Sequence, residues 1–206
     1  MKYLRPILND KGLTLVELMI VLVLSLLLMA AVYMTYQLQH ATGQSQLQVT
    51  ATQQDLRASM DIISLDIMHA GADPTLTQTI QGVVENTSGL TSLKLRMDLN
   101  SDGNTNGANE NITYSLTGNN LERVDIGSGV IQLLANNVTQ LSFTYFGTQY
   151  TPINPTGGGN TLTAAEAQSV RYVNINIVKN SDKNDPQTGQ PVTRSLQRTI
   201  CRRNGI

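Results

Sequence analysis

Apolar and polar positions change their rhythm twice along the chain. From Leu13 to Val32 the sequence is apolar on all sides (LTLVELMIVLVLSLLLMAAV) and carries one formal charge, Glu17. About 20 such residues, at ~1.5 Å rise each, span a bilayer core of roughly 30 Å. No Pro occurs between Leu13 and Asp73, and Gly43 is the single Gly before Gly71. Further on, Leu56, Met60, Ile63, Ile67 and Ala70 recur at spacings of four, three, four and three, one apolar stripe on a helix. Gln53, Asp55, Arg57, Asp61 and Ser64 are placed on the opposite face. The pattern predicts one helix from about Thr14 to about Ala70, with a soft spot at Gly43. Gly71 and Pro74 end it.

After Pro74 the period becomes two. Leu93, Leu95 and Met97 alternate, then Ile112, Tyr114 and Leu116. Strand runs follow at Leu121–Asp125, around Leu141, Phe143 and Tyr145, at 170–178, and from Val192 to Ile200. Thr163-Ala-Ala-Glu166 has capping-box spacing and predicts a short helix before the strand at Val170. The order is a long helix, then an antiparallel sheet on which its amphipathic half lies: an α+β fold.

Residues ahead of the apolar run include Lys2, Arg5 and Lys11 against Asp10. Basic residues before a span predict a cytoplasmic N-terminus and an exported remainder. A cleaved secretory signal or a plain anchor would account for the apolar run, but neither accounts for Glu17. A carboxylate in a span costs about 2.5–3.5 kcal/mol on insertion scales and marks a functional position.

Lys11-Gly12 followed by Leu13-Thr14-Leu15-Val16-Glu17-Leu18 resembles the N-terminal signal of type IV pilins and type II secretion pseudopilins. The resemblance implies a pilin-like fold and cleavage by prepilin peptidase between Gly12 and Leu13. It implies N-methylation of Leu13, where the family most often has Phe. Glu17 is then the assembly residue: an unpaired acid in the monomer, it neutralises the new amine on Leu13 of a neighbouring subunit. The domains follow as a 1–12 leader, a 13–35 transmembrane and assembly helix, a 36–73 amphipathic continuation and a 74–206 sheet domain. Ser64–Gly71, Asn137–Tyr145 and the ending Arg202-Arg203-Asn204 resemble PilW-like minor pilins, related to pseudopilin J. This implies a structural, non-catalytic subunit of pilus priming or of a tip complex, with a secretion pseudopilin as the alternative. The implied partners are prepilin peptidase, other major and minor pilins or pseudopilins, and the bacterial inner membrane. The chain would cross that membrane once before entering a pilus or pseudopilus.

Composition narrows the remaining chemistry. Lys and Arg number 14 against 15 Asp and Glu, for a net charge of −1, and aromatics are 4 %. That balance gives no global pull toward nucleic acid, and no basic–aromatic patch supplies one. One cysteine, Cys201, and two histidines, His40 and His69, leave little for thiolate metal sites or hydrolase triads. Cys201 is expected as a buried thiol, His40 on an exposed helix face, and His69 at a helix C-terminus. Gly157-Gly-Gly159 lacks a P-loop context, and 180–189 reads as a plain hairpin loop. One loop resembles a calcium motif: Asp98, Asn100 and Asp102 at places one, three and five, Gly103 at six, then Asn104 and Glu110. Place twelve is Asn109, so Glu110 falls one residue late. Calcium between two strands and a solvated hairpin loop both fit. The first adds a third function, a membrane-anchored calcium-dependent adhesion module.

Overall fold

In the computed structural model, which describes residues 12, 14–76 and 80–204, the first element is a 55-residue helix, α1 (Leu15–His69). The chain divides into two compact units, Met1–Gln44 and Ser45–Ile206. The expected helix is therefore present within a residue of each predicted end, and it runs through Gly43. It stops where Gly71 adopts φ +81°, a left-handed conformation that glycine takes without penalty. The Gly71 amide then bonds to the Arg96 carbonyl at 2.8 Å, which ties the helix end to the first strand.

In the second unit the strands are β1 (Leu93–Arg96), β2 (Asn111–Thr117), β3 (Asn120–Asp125), β4 (Val130–Ala135), β5 (Val138–Phe146), β6 (Pro152–Ile153), β7 (Tyr172–Asn184) and β8 (Pro191–Cys201). They form two antiparallel four-stranded sheets, ordered β1-β2-β3-β4 and β6-β5-β7-β8. The sequence predicts a single sheet. Alternation reports which side chains face inward but not which strand is the neighbour. The expected short helix is α2 (Ala164–Ser169), with both halves of the Thr163–Glu166 capping box formed.

The predicted stripe is the helix's buried face. Leu56, Met60, Ile63, Ile67 and Ala70 are all buried, and the alternating strand residues Leu93, Leu95, Ile112, Tyr114, Leu141, Phe143, Val173, Ile175 and Ile177 join them in one core. Ser64, placed on the solvent face by the sequence, is buried; its hydroxyl donates to the Met60 carbonyl at 2.6 Å. Bonding back into its own helix satisfies the buried hydroxyl. The segment before β1 joins the two sheets. Val83 bridges Leu95 on one side, and on the other the Leu90 carbonyl accepts from the Phe143 amide at 2.8 Å.

Three acids of the helix are matched by bases from the strands. Asp55 lies 3.5 Å from Lys179, Asp61 2.6 Å from Arg198, and Asp66 2.8 Å from Arg123. Lys179 is fully buried and also reaches Asn136 at 2.8 Å and Asp182 at 3.0 Å. A buried ammonium needs that many oxygens around it. At the tip of the β7–β8 hairpin, Asp185 accepts from the Ser45 hydroxyl, and Gln48 donates to the Asn184 carbonyl at 3.2 Å. The amphipathic half of α1 is thus held along its length by core packing and by side-chain bonds from both sheets.

Candidate functional site

Gly12 is exposed, and a Cβ built on it would meet nothing within 4 Å. Leu13, the other side of the predicted scissile bond, lies outside the described residues. Just beyond it the helix opens on a reciprocal cap. The Thr14 amide and hydroxyl each donate to Glu17 Oε2 at 2.9 Å, and the Glu17 amide donates to Thr14 Oγ1 at 3.3 Å. Glu17 is thus hydrogen-bonded within its own chain, while no ion pair among the described residues includes it. Thr14-Leu-Val-Glu17 has the S/T-x-x-E spacing that satisfies helix-start donors with a local carboxylate. That signal was present in the sequence and identifies Thr14 as a site residue that the motif reading passed over. Both Thr14 donors converge on Oε2, and Oε1 accepts no hydrogen bond among the described residues.

The helix beyond is apolar and exposed. Leu15, Val16, Leu18 and every large apolar side chain through Leu38 are more than half exposed. The few polar groups bond within the helix. Ser25 donates to the Leu22 carbonyl at 2.8 Å, Thr35 to Ala31 at 3.0 Å, and Gln37 to the Tyr33 hydroxyl at 2.7 Å. Such a surface suits a solvent that cannot offer hydrogen bonds. By length and composition α1 can cross a membrane.

The loop between β1 and β2 brings the five expected calcium ligands into one segment and uses them on backbone donors. Asp98, fully buried, accepts from the Ser101 amide at 2.7 Å and the Gly103 amide at 3.0 Å. Asn100, Asp102 and Asn104 each accept from the amide two residues on, at 2.8–2.9 Å. Those Asx turns hold the Asp102 carboxyl below its ordinary range, chiefly through the Asn104 amide. Glu110 is 1 % exposed and accepts from Leu99, Asn100 and Gly107 amides at 3.0, 3.1 and 2.7 Å. Gly103 takes φ +79°, as the sharp turn requires. Among the described residues, no three Asp, Glu, His or Cys side chains converge to hold a metal.

The remaining candidates fall as follows. His40 is exposed and His69 ends α1, both as expected. Cys201 is exposed, against the expectation of a buried thiol. It follows Ile200, which is 6 % exposed, so strand alternation turns the thiol to the other face of β8, an edge strand.

Comparison with known families agrees with both halves of this geometry. Residues 7–33 match the prokaryotic N-terminal methylation motif, which contains Gly12, Leu13 and Glu17. Residues 45–200, nearly all of the sheet-bearing unit, match the model for prepilin peptidase-dependent protein B. No curated protein matches the chain. Dependence on that peptidase gives the chain a pilin- or pseudopilin-type role, brings it to the peptidase and the pilin assembly machinery, and agrees with membrane anchoring through α1. The chain belongs to the prepilin peptidase-dependent protein B family.

Proposed function

We propose that the protein is a minor pilin, structural rather than catalytic, that takes part in priming a type IV pilus or in its tip complex. The observation that carries this reading is the opening of α1. An exposed apolar helix begins with one carboxylate, and both local donors to that carboxylate fall on the same oxygen, Oε2. Cleavage after Gly12 leaves the Thr14 amide and hydroxyl in place and creates an ammonium on Leu13. Glu17 Oε1 of one subunit then accepts the Leu13 ammonium of its neighbour as the apolar helices bundle. In a low-dielectric bundle either charge left alone is costly, so the pair fixes register more than it adds net stability.

In this reading the subunit sits in the inner membrane with its N-terminus cytoplasmic and its sheets exported, until it is drawn into the filament. The basic residues ahead of α1 support that orientation. A type II secretion pseudopilin would use the same N-terminus and the same pairing, and differs in the machine served.

The test is a count of surface pili by electron microscopy in a strain lacking the gene. Loss of pili, restored by the wild-type copy but not by Glu17→Ala, is expected. Normal piliation without the gene would overturn a priming role and favour the secretion pseudopilin.

A further inference from the structure

The β6-β5-β7-β8 sheet has two faces of different character. Val173, Ile175 and Ile177 of β7 turn into the core, so alternation turns Tyr172, Asn174 and Asn176 to the outer face. The strand register sets that face in rows. Pro152, Phe146, Tyr172 and Cys201 lie side by side across all four strands. Next come Thr144, Asn174 and Thr199, and then Ser142, Asn176 and Gln197. No side chain in these three rows is charged. The assembly role proposed above makes no use of them.

One end of the face is aromatic. The Tyr150 ring stacks on Tyr172, with centroids 4.2 Å and planes 15° apart, and Phe146 lies 6.0 Å from Tyr150. Tyr150 is nevertheless 57 % exposed. Backbone strain accompanies that placement. Gln149 and Tyr150 take φ of +58° and +57° in succession, a left-handed conformation that residues with a Cβ avoid. Beside the rings the polar groups are fixed. Asn174 Nδ2 donates to Thr199 Oγ1 at 2.7 Å, and Gln197 Nε2 donates to Asn174 Oδ1 at 2.9 Å. An amide has two N–H donors and two acceptor lone pairs, so each of these amides keeps capacity for a further bond.

The geometry points to a binding face for a neutral glycan: the Tyr150–Tyr172 stack takes the C–H face of a pyranose ring, and the array centred on Asn174 takes the hydroxyls of the adjoining sugars. An aromatic face carries partial negative charge and attracts C–H groups. Amides and hydroxyls both donate and accept, as sugar hydroxyls do. The lack of charge in these rows tells against other occupants. A nucleic-acid strand needs cations along its phosphates. A second copy of the chain needs a broader apolar core than one aromatic end. Successive rows are about 6.8 Å apart along β7, a linear track that suits an extended chain of β-linked pyranoses. The bonds among Asn174, Thr199 and Gln197 set the array before the ligand arrives.

Calorimetry on the full chain tests this, in a zwitterionic detergent without a sugar headgroup. The probes are cellohexaose, an extended β-linked glucose chain; maltohexaose, its coiled α-linked isomer; an oligothymidylate; and a proline-rich peptide, another ligand of aromatic surface clusters. Saturable binding of cellohexaose is expected, tighter than that of the other three. Tyr150→Gly removes the ring and the strain together, and should weaken binding by about tenfold with an unchanged circular dichroism spectrum. Asn174→Ala removes the centre of the polar array and should weaken it by at least about threefold. One change is in a turn and the other in a strand, so either serves if the other does not fold. No saturable binding of cellohexaose up to about 10 mM, any other probe bound as tightly as cellohexaose, or binding unaltered in either folded variant would overturn the proposal.

Discussion

Asp66 of the helix and Arg123 of β3 meet at 2.8 Å, and the Tyr114 hydroxyl donates to the same carboxylate oxygen. Burial first, and then the Asp66 charge, push the Tyr114 phenol above its ordinary range, so it stays a donor. The three groups join the helix to two strands of one sheet, and each is mostly removed from water. Removing one member leaves the others buried and uncompensated. Asp66→Ala should therefore cost roughly 3 kcal/mol in urea unfolding of the full chain in detergent. Asp66→Asn, which keeps an acceptor for Tyr114, should cost less. A loss below about 0.5 kcal/mol, the range of ordinary surface changes, would show that core packing alone holds the helix.

At Gly82 the backbone passes close to the end of α1. A Cβ there would fall 2.7 Å from the Ala70 carbonyl carbon and the Gly71 amide, and 2.8 Å from Arg202 Nη1. Two of those neighbours are backbone and cannot step aside. Gly82→Ala is expected to destabilise by about 1–3 kcal/mol, read as a fall in melting temperature. Gly43→Ala, with open space around it on the helix, should instead be neutral or stabilising by up to about 1 kcal/mol.

Glu166 shows a clear pH signature. The Thr156 hydroxyl first, and then the Thr163 amide, hold its carboxyl down from its ordinary 4.5 to about 2. A folded-state value below the unfolded one gives stability that is complete above pH 4.5 and is lost as pH falls toward 2. The wild type should therefore lose melting temperature through that window faster than Glu166→Gln does. Parallel acid profiles for the two proteins would contradict this.

The loop between β1 and β2 is braced by its own acids. Asp98→Ala strands the Ser101 and Gly103 amides, with an expected cost of about 1–3 kcal/mol. These oxygens already accept from backbone N–H groups, so equal melting temperatures are expected in excess EDTA and in excess CaCl2. A calcium-dependent rise that Asp102→Ala abolishes would support the calcium reading of the loop.

The helix was legible because its signals are local: a 3.6-residue period at Leu56, Met60, Ile63 and Ile67, and a glycine stop at Gly71. The same holds for the cap at Thr163, and Thr14 carries the same legible spacing. β4 was not legible, because Val-Ile-Gln-Leu-Leu-Ala does not alternate, and four of its six residues are exposed in an edge strand. Long-range pairs were equally hidden. Nothing in the sequence around Lys179 or Arg123 tells that each waits for an aspartate of the helix more than 50 residues away. Cys201 misled for a related reason: its place in a strand was clear, but the face it takes depends on the register with β7.

The central claim is that the chain is processed at Gly12 and built into a filament through its new end. Mass spectrometry of the N-terminal peptide, taken from the protein made in cells with prepilin peptidase, tests it most directly. The account predicts an N-terminus at Leu13 carrying one methyl group, and loss of that product in Gly12→Val. A retained leader, or a cut beyond the apolar run near Ala31, would contradict it.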